Sequence, residues 1–242
     1  MGNSVIDEKR NTKHTGGFKS TCVLEKGIEV LRKADPDIAI LLKKRETELL
    51  SLYIEEIELF NPIYSLVGAK EREELVIKHI LDSLAPLGII SRLLPKNSEI
   101  ADIGSGAGLP GIPLAISLSD HSFTLIEKMS KRVKFLKNTQ AVLGLSNVKV
   151  EEKDFSKISC QKFDLITFRA FAALDTNILK TLFQHLKPTG IIVAYKGRKE
   201  KIEDELKNIN PLNEITQNIF KISVPFLEDE RHIVVLHKNN QS

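Results

Sequence analysis

"ADIGSGAGLPGIPLAI", residues 101–116, holds four glycines (Gly104, Gly106, Gly108 and Gly111) within eight positions, directly after the run Glu99–Ile103. Glycine at that density costs backbone entropy on folding. It marks a bend that other residues resist, or a place where something approaches the backbone closely. The stretch reads as a strand ending at Ile103, a tight turn, and a helix beginning near Pro110.

Working outward, short apolar runs alternate with helical ones after Pro95. The pattern predicts strands at 98–103, 122–127, 147–151, 163–168, 190–196, 214–221 and 231–237. Helices are expected near 110–118, 130–143, 173–186 and 199–208. Such alternation argues for a parallel α/β sheet covered on both faces. The last two strands have no helix between them and are expected to pair antiparallel at one edge. Upstream, residues 23–60 turn helical, with Asp35-Pro36 as a start signal and Asn61-Pro62 as a stop. A second amphipathic helix is expected over 71–90. The first 20 or so residues are polar and read as a mobile tail. The expected organisation is a flexible extension over 1–35, a helical segment over 36–94 and a doubly wound α/β domain over 95–242.

Composition narrows the function classes. The 242 residues are 42% hydrophobic and 28% charged, which suits one sizeable core. No apolar run approaches the roughly 20 residues that span a bilayer. The N-terminus lacks an apolar leader, and Ile6 stands where a myristoylation signal wants Ser or Thr. A cytoplasmic location is the expectation. Cys22 and Cys160 form no CxxC motif, and the six histidines make no HExxH pair, so no metal site is expected. The net charge of +3 is compatible with a nucleic-acid partner.

In an open α/β sheet, ligands bind beyond the carboxyl ends of the strands, which is where the glycine loop lies. A phosphate-binding Walker A loop fails for want of Lys-Ser or Lys-Thr. A dinucleotide fingerprint from Gly104 meets Gly106 but then Leu109 in place of its third glycine. The spacing Asp102-x-Gly104-x-Gly106-x-Gly108 is the one shared by S-adenosylmethionine (SAM) methyltransferases. That cofactor has no pyrophosphate to place on a helix N-terminus, and a carboxylate near its sulfonium and ammonium is favourable. Glu127 ends the second strand 23 residues after Gly104, placed to accept from ribose hydroxyls. Asp154 and Phe155, beyond the third strand, are candidates to flank the adenine.

Five blocks extend this reading: the glycine loop, "KHILDSL" (78–84), "TLIEKMSKRVKFL" (124–136), "FRAFA" (168–172) and "YKG" (195–197). Together they resemble the RsmG (GidB) family of bacterial small-subunit rRNA guanine-N7 methyltransferases, over roughly residues 40–240. The resemblance implies a class I SAM-dependent methyltransferase fold of seven strands, the last antiparallel. It also implies that Gly104 and Leu109 contact SAM, that Asp154 and Phe155 lie near the adenine, and that Arg169 meets the cofactor or the target. The chain departs from the family at Asp154-Phe155, where a small residue and Glu are usual, and at Tyr64-Ser65-Leu66-Val67, where Asn-Leu-Thr is common.

Guanine N7 carries a lone pair and no proton, so its methylation needs no general base, and no catalytic dyad is evident. Arg169 is the catalytic candidate, since its fork suits base edges or a carboxylate. Lys131, Arg132 and Lys134 on one predicted helix, with Lys196 and Arg198 after the fifth strand, are candidate RNA contacts on the cofactor's edge of the sheet. His79 and Asp82 lie three apart on one helical face and read as a structural pair on a lid over the cofactor. The expected partner is 16S rRNA in the small ribosomal subunit, met by a monomer. Two alternatives stay open: a methyltransferase acting on a small molecule or protein, and a non-catalytic SAM-binding assembly factor.

Overall fold

The structure, a computed structural model, describes residues 17–158, 162–170, 173–207, 209 and 215–239, with side chains from Val23 onward. The expectations placed on residues 1–16, on Cys160 and on the end of "FRAFA" lie outside the described residues.

Seven strands form one sheet: β1 (Glu99–Ile103), β2 (Ser122–Glu127), β3 (Val148–Glu152), β4 (Phe163–Arg169), β5 (Leu186–Lys196), β6 (Ile215–Ile222) and β7 (Arg231–Lys238). Their order is β3-β2-β1-β4-β5-β7-β6. The first five run parallel, and β7 pairs antiparallel with both β5 and β6. Hydropathy explains why the last strand sits inside the sheet. "HIVVLHK" buries five consecutive residues, whereas "ITQNIFKI" is mostly solvent-facing and takes the edge.

Upstream lie α1 (Gly17–Ala34), α2 (Pro36–Leu41) and α3 (Lys44–Tyr64). They are followed by α4, which runs through Arg72–Leu75, a π-helical turn Val76–Leu81 and Asp82–Leu84, and by α5 (Leu87–Leu93). The helices between strands are α6 (Gly111–Ser117), α7 (Ser130–Leu143), α8 (Thr176–Gln184) and α9 (Lys199–Lys207). One apolar cluster joins α1–α7 to one face of the sheet, and a second packs α8 and α9 on the other.

Three expectations change. The part of the proposed extension from Gly17 to Ala34 is helix, and Leu24, Ile28 and Leu31 put its apolar stripe into the main core. Asn61-Pro62 does not stop α3, because a proline near the end forfeits only one intrahelical hydrogen bond. The helix ends at Ser65 in a left-handed conformation, its amide donating to Asn61 O at 2.9 Å. The single helix expected over 71–90 is broken at Pro86, and α5 starts after it. The helical segment shares its core with the sheet, and Tyr53 of α3 is fully buried against the glycine loop.

Candidate functional site

The parallel register carries β1 and β2 to a common end, with Ile103 opposite Ile126. From there the amides of Gly104 and Ser105 both donate to Ile126 O, at 2.9 and 3.2 Å. Two buried carboxylates shape the rest of the turn. Glu127 accepts from the Gly106 amide through Oε2 and from the Met129 amide through Oε1, both at 2.9 Å. Asp102 Oδ2 accepts from the Gly111 amide at 3.1 Å. From the helical side, the Tyr53 hydroxyl donates to Ala107 O at 2.6 Å. Gly108 has φ +91°, and a Cβ on Gly111 would lie 2.5 Å from both Asp102 Oδ2 and Leu125 Cδ2. Gly111 is therefore the residue that lets α6 pack on β1, the task a dinucleotide fingerprint gives to its third glycine.

Above this floor opens a cleft of about 610 Å³, within the range of small-molecule sites. Of the residues singled out in the sequence, Gly104, Gly106, Leu109, Arg132, Arg169 and Lys196 line it, as do His79 and Asp82. Asp102, Gly108 and Glu127 do not line it; the two carboxylates are engaged with the amides of the turn. Asp154 caps the short 3-10 turn that follows β3, accepting from the Ser156 amide at 3.1 Å. Phe155 is buried in the second apolar cluster, edge-on to His185. Lys131, Lys134 and Arg198 are exposed, while Lys196 is paired with Glu205 at 2.6 Å.

The register of β4, β5 and β7 brings three further positions to the same rim: Arg169 lies opposite Tyr195, and Tyr195 opposite Ile233. Arg169 latches α4 there. Its Nη1 donates to Asp82 Oδ2 at 3.0 Å and to the carbonyls of Lys78 and His79 at 3.3 and 3.4 Å. Its Nη2 lies 3.0 Å from His79 Nδ1. Arg231 Nε donates to the other Asp82 oxygen at 3.1 Å, and the Tyr195 hydroxyl donates to Ser83 O at 2.9 Å. His79 and Asp82, expected to form a structural pair, thus meet through Arg169. The latched segment is the π-helical turn; π turns collect at functional sites because they re-aim side chains and carbonyls. Sequence reasoning missed Tyr53, Tyr195 and Arg231 as site residues. Their signal was faint: two tyrosines within apolar patterns, and an arginine flanking the final strand.

Burial gives the site two groups with opposite pH behaviour. It pushes the Asp102 carboxyl up from 3.8 to about 7, against the hydrogen bond from the Gly111 amide that pulls it down. Burial, helped by Arg169, holds His79 down from 6.5 to about 4. The folded state holds the Asp102 proton more tightly than the unfolded chain. That contribution to stability is full below pH 3.8 and lost as pH rises through about 7. The His79 contribution is present above pH 6.5 and lost as pH falls through about 4. The two oppose each other across the shared window, each by at most about 1.4 kcal/mol per pH unit. Asp102→Asn removes one of them. Its unfolding free energy relative to the wild type is expected to rise by roughly 3 kcal/mol between pH 4.5 and 7 in urea titrations. A difference that stays constant with pH means that Asp102 remains ionised when buried.

Among the described residues, no helix is long and apolar enough to cross a membrane, and no group of three His, Cys, Asp or Glu side chains is placed to hold a metal. Two solved structures with this architecture carry methyltransferase names. A Klebsiella pneumoniae protein described as an O-methyltransferase superposes with a TM-score of 0.55 at 14% identity, over 79% of this chain and 90% of that one. The precorrin-6y C5,15-methyltransferase of Geobacter metallireducens gives 0.50 at 14% identity, over 74% and 96%. This is the class I SAM-dependent methyltransferase fold. Sequence relatives are closer. The ribosomal RNA small subunit methyltransferase G of Treponema denticola is 40% identical over 79% of this chain and 86% of its own length. The Yersinia pestis protein of the same name is 34% identical over 83% and 94%. The family model described as "rRNA small subunit methyltransferase G" matches residues 46–234, a span that runs from α3 through the glycine loop and the Arg169 latch into β7, and the chain belongs to that family, GidB.

Proposed function

We propose that this protein transfers a methyl group from SAM to N7 of a guanine in the 16S rRNA of the small ribosomal subunit. The observation that carries the proposal is a glycine-floored cleft at the carboxyl ends of the strands, in a chain that belongs to the GidB family.

The residues present fit the cofactor. A Cβ added to Gly106 would meet only the Gly104 carbonyl and an Arg132 tip, at 3.8 and 4.0 Å, so the loop faces open space where a ligand can lie on the backbone. Each Glu127 oxygen accepts one amide of the turn and keeps a second lone pair, which a ribose hydroxyl would reach by entering beside the loop, since the carboxylate does not line the open cleft. Asp102 Oδ1 is buried beneath the loop without a partner, and the carboxyl's ionised form, which grows as pH rises through about 7, favours a cationic ligand above it. When bound, SAM supplies an electrophilic methyl on a sulfonium. Gly104, Gly106 and Leu109 support it, and Arg169 fixes α4 as the wall opposite the loop.

No side chain has to remove a proton, because N7 has none. Rate comes from alignment of the base with the methyl and from exclusion of water. Arg169 spends most of its donors on Asp82, His79 and the two carbonyls, so it acts chiefly by holding that wall. Lys131, Lys134 and Arg198, which are exposed, would meet phosphates, with Arg132 among the residues that line the cleft.

The test is transfer from labelled SAM to small subunits taken from cells lacking the protein, followed by nucleoside analysis. One equivalent of 7-methylguanosine per subunit is expected. SAM binding without transfer to subunits or free rRNA would favour the assembly-factor alternative. Transfer to a small molecule or protein would favour the other. The double variant Lys131→Glu, Lys134→Glu is expected to raise KM for subunits about 10-fold or more and to flatten its salt dependence by about two counterions. SAM affinity should not change. An unaltered salt slope would move the RNA contact off α7.

A further inference from the structure

We propose that His79 reads the target base, its Nε2–H donating a hydrogen bond to O6 of the guanine whose N7 is methylated. This deepens the function proposed above and rests on it. The argument starts from proton accounting. Arg169 Nη2 is 3.0 Å from His79 Nδ1. A guanidinium carries only donors and keeps its protons, so Nδ1 must be the acceptor. A neutral imidazole has one ring proton, which is then on Nε2. Burial and the neighbouring Arg169 disfavour a second proton, with the pKa held at about 4. Nε2 has no hydrogen-bond partner among the described residues, and His79 lines the cleft. The latch therefore leaves one oriented donor in the wall of the cleft.

That donor suits guanine. On the Hoogsteen edge guanine presents two acceptors, N7 and O6, where adenine presents N7 and the N6 amino donors. With the N7 lone pair directed at the methyl, O6 is the neighbouring edge atom for a side chain to read. Adenine in the same pose would set donor against donor, leaving both unsatisfied in a partly dry site. The sequence pattern marked this helix as a lid. The geometry points to a lid that also selects the base.

The experiment uses small subunits reconstituted with 16S RNA carrying either guanosine or 2-aminopurine, which is guanine without O6, at the methylated position. The wild-type protein is expected to prefer guanosine by roughly 30-fold in kcat/KM. His79→Asn keeps an acceptor for Arg169 through its amide oxygen but cannot reach the place of Nε2. It is expected to lose about 30-fold on guanosine and almost nothing on 2-aminopurine. His79→Gln restores a distal amide donor and should recover part of the preference. Equal losses on both substrates with His79→Asn would show a purely structural role and overturn the proposal. Absence of wild-type transfer to guanosine subunits would instead strike the parent reading, which keeps the two failures distinct.

Discussion

Arg169→Met is expected to lower kcat/KM for methyl transfer by at least about 100-fold, because that guanidinium makes most of the bonds that hold the wall of the cleft. The side chain ties together Asp82, His79 and two carbonyls of the π-helical turn. Methionine keeps much of the volume and makes none of these bonds. Asp82, with its side chain 7% exposed, would retain Arg231 alone. Removing one partner of a buried pair costs 3–5 kcal/mol in the severe case. The surviving Arg231 contact reduces that to about 2–3 kcal/mol here. Arg169→Lys should rescue little, since a point charge cannot span a carboxylate, a ring nitrogen and two carbonyls as a planar fork does. Urea unfolding, SAM titration and steady-state kinetics on subunits separate the effects. A stability loss with unchanged kcat would remove the latch from the chemistry and leave it a purely structural tie.

Gly111→Val is expected to destabilise the protein by about 4 kcal/mol, enough to leave little folded material. The new Cβ would meet Asp102 Oδ2 and Leu125 Cδ2 at 2.5 Å and Asp102 Cβ at 2.9 Å. Overpacking of this kind costs about 1–3 kcal/mol. Displacing the carboxylate would strip its bond from the Gly111 amide, leaving buried polar groups unmet at about 1–3 kcal/mol more. The control is Gly144→Ala, at the end of α7, where φ is +63° but nothing lies within 4 Å of the added carbon. Only backbone strain applies there, about 1 kcal/mol. Equal effects in denaturant titrations would mean that glycine's backbone freedom, and not close packing on β1, is what Gly111 provides.

The linear pattern carried most of the sheet. β2 and α7 begin and end where the pattern placed them, because each is bounded by a polar turn, β2 carrying a continuous buried run and α7 carrying Val133, Leu136 and Leu143 at helical spacing. Helix ends were less legible. In the linear pattern Pro62 reads as a stop and Pro86 passes unmarked, yet only Pro86 breaks a helix; near the end of α3 the missing amide costs one bond, which the packing of Tyr53, Ile54 and Ile57 outweighs. The helix from Gly17 was legible only from residue 23, and its place in the core was hidden for another reason. Its polar residues dominate its composition, and its stripe of Leu24, Ile28 and Leu31 has meaning only once α3 and α4 are beside it.

The same division runs through the site. By itself the sequence determined the glycine loop, the carboxylate after β2, the alternation that makes a parallel sheet, and the motif spacing that marks the family. Each of these depends on neighbours along the chain. Tertiary structure alone decided that β7 enters between β5 and β6, that Tyr53 holds the loop, and that Asp82 is shared by two arginines 87 and 149 positions away. It also decided which nitrogen of His79 carries the proton. Hydrogen-bond direction depends on which groups face each other in space, and no local pattern encodes a partner 90 residues distant.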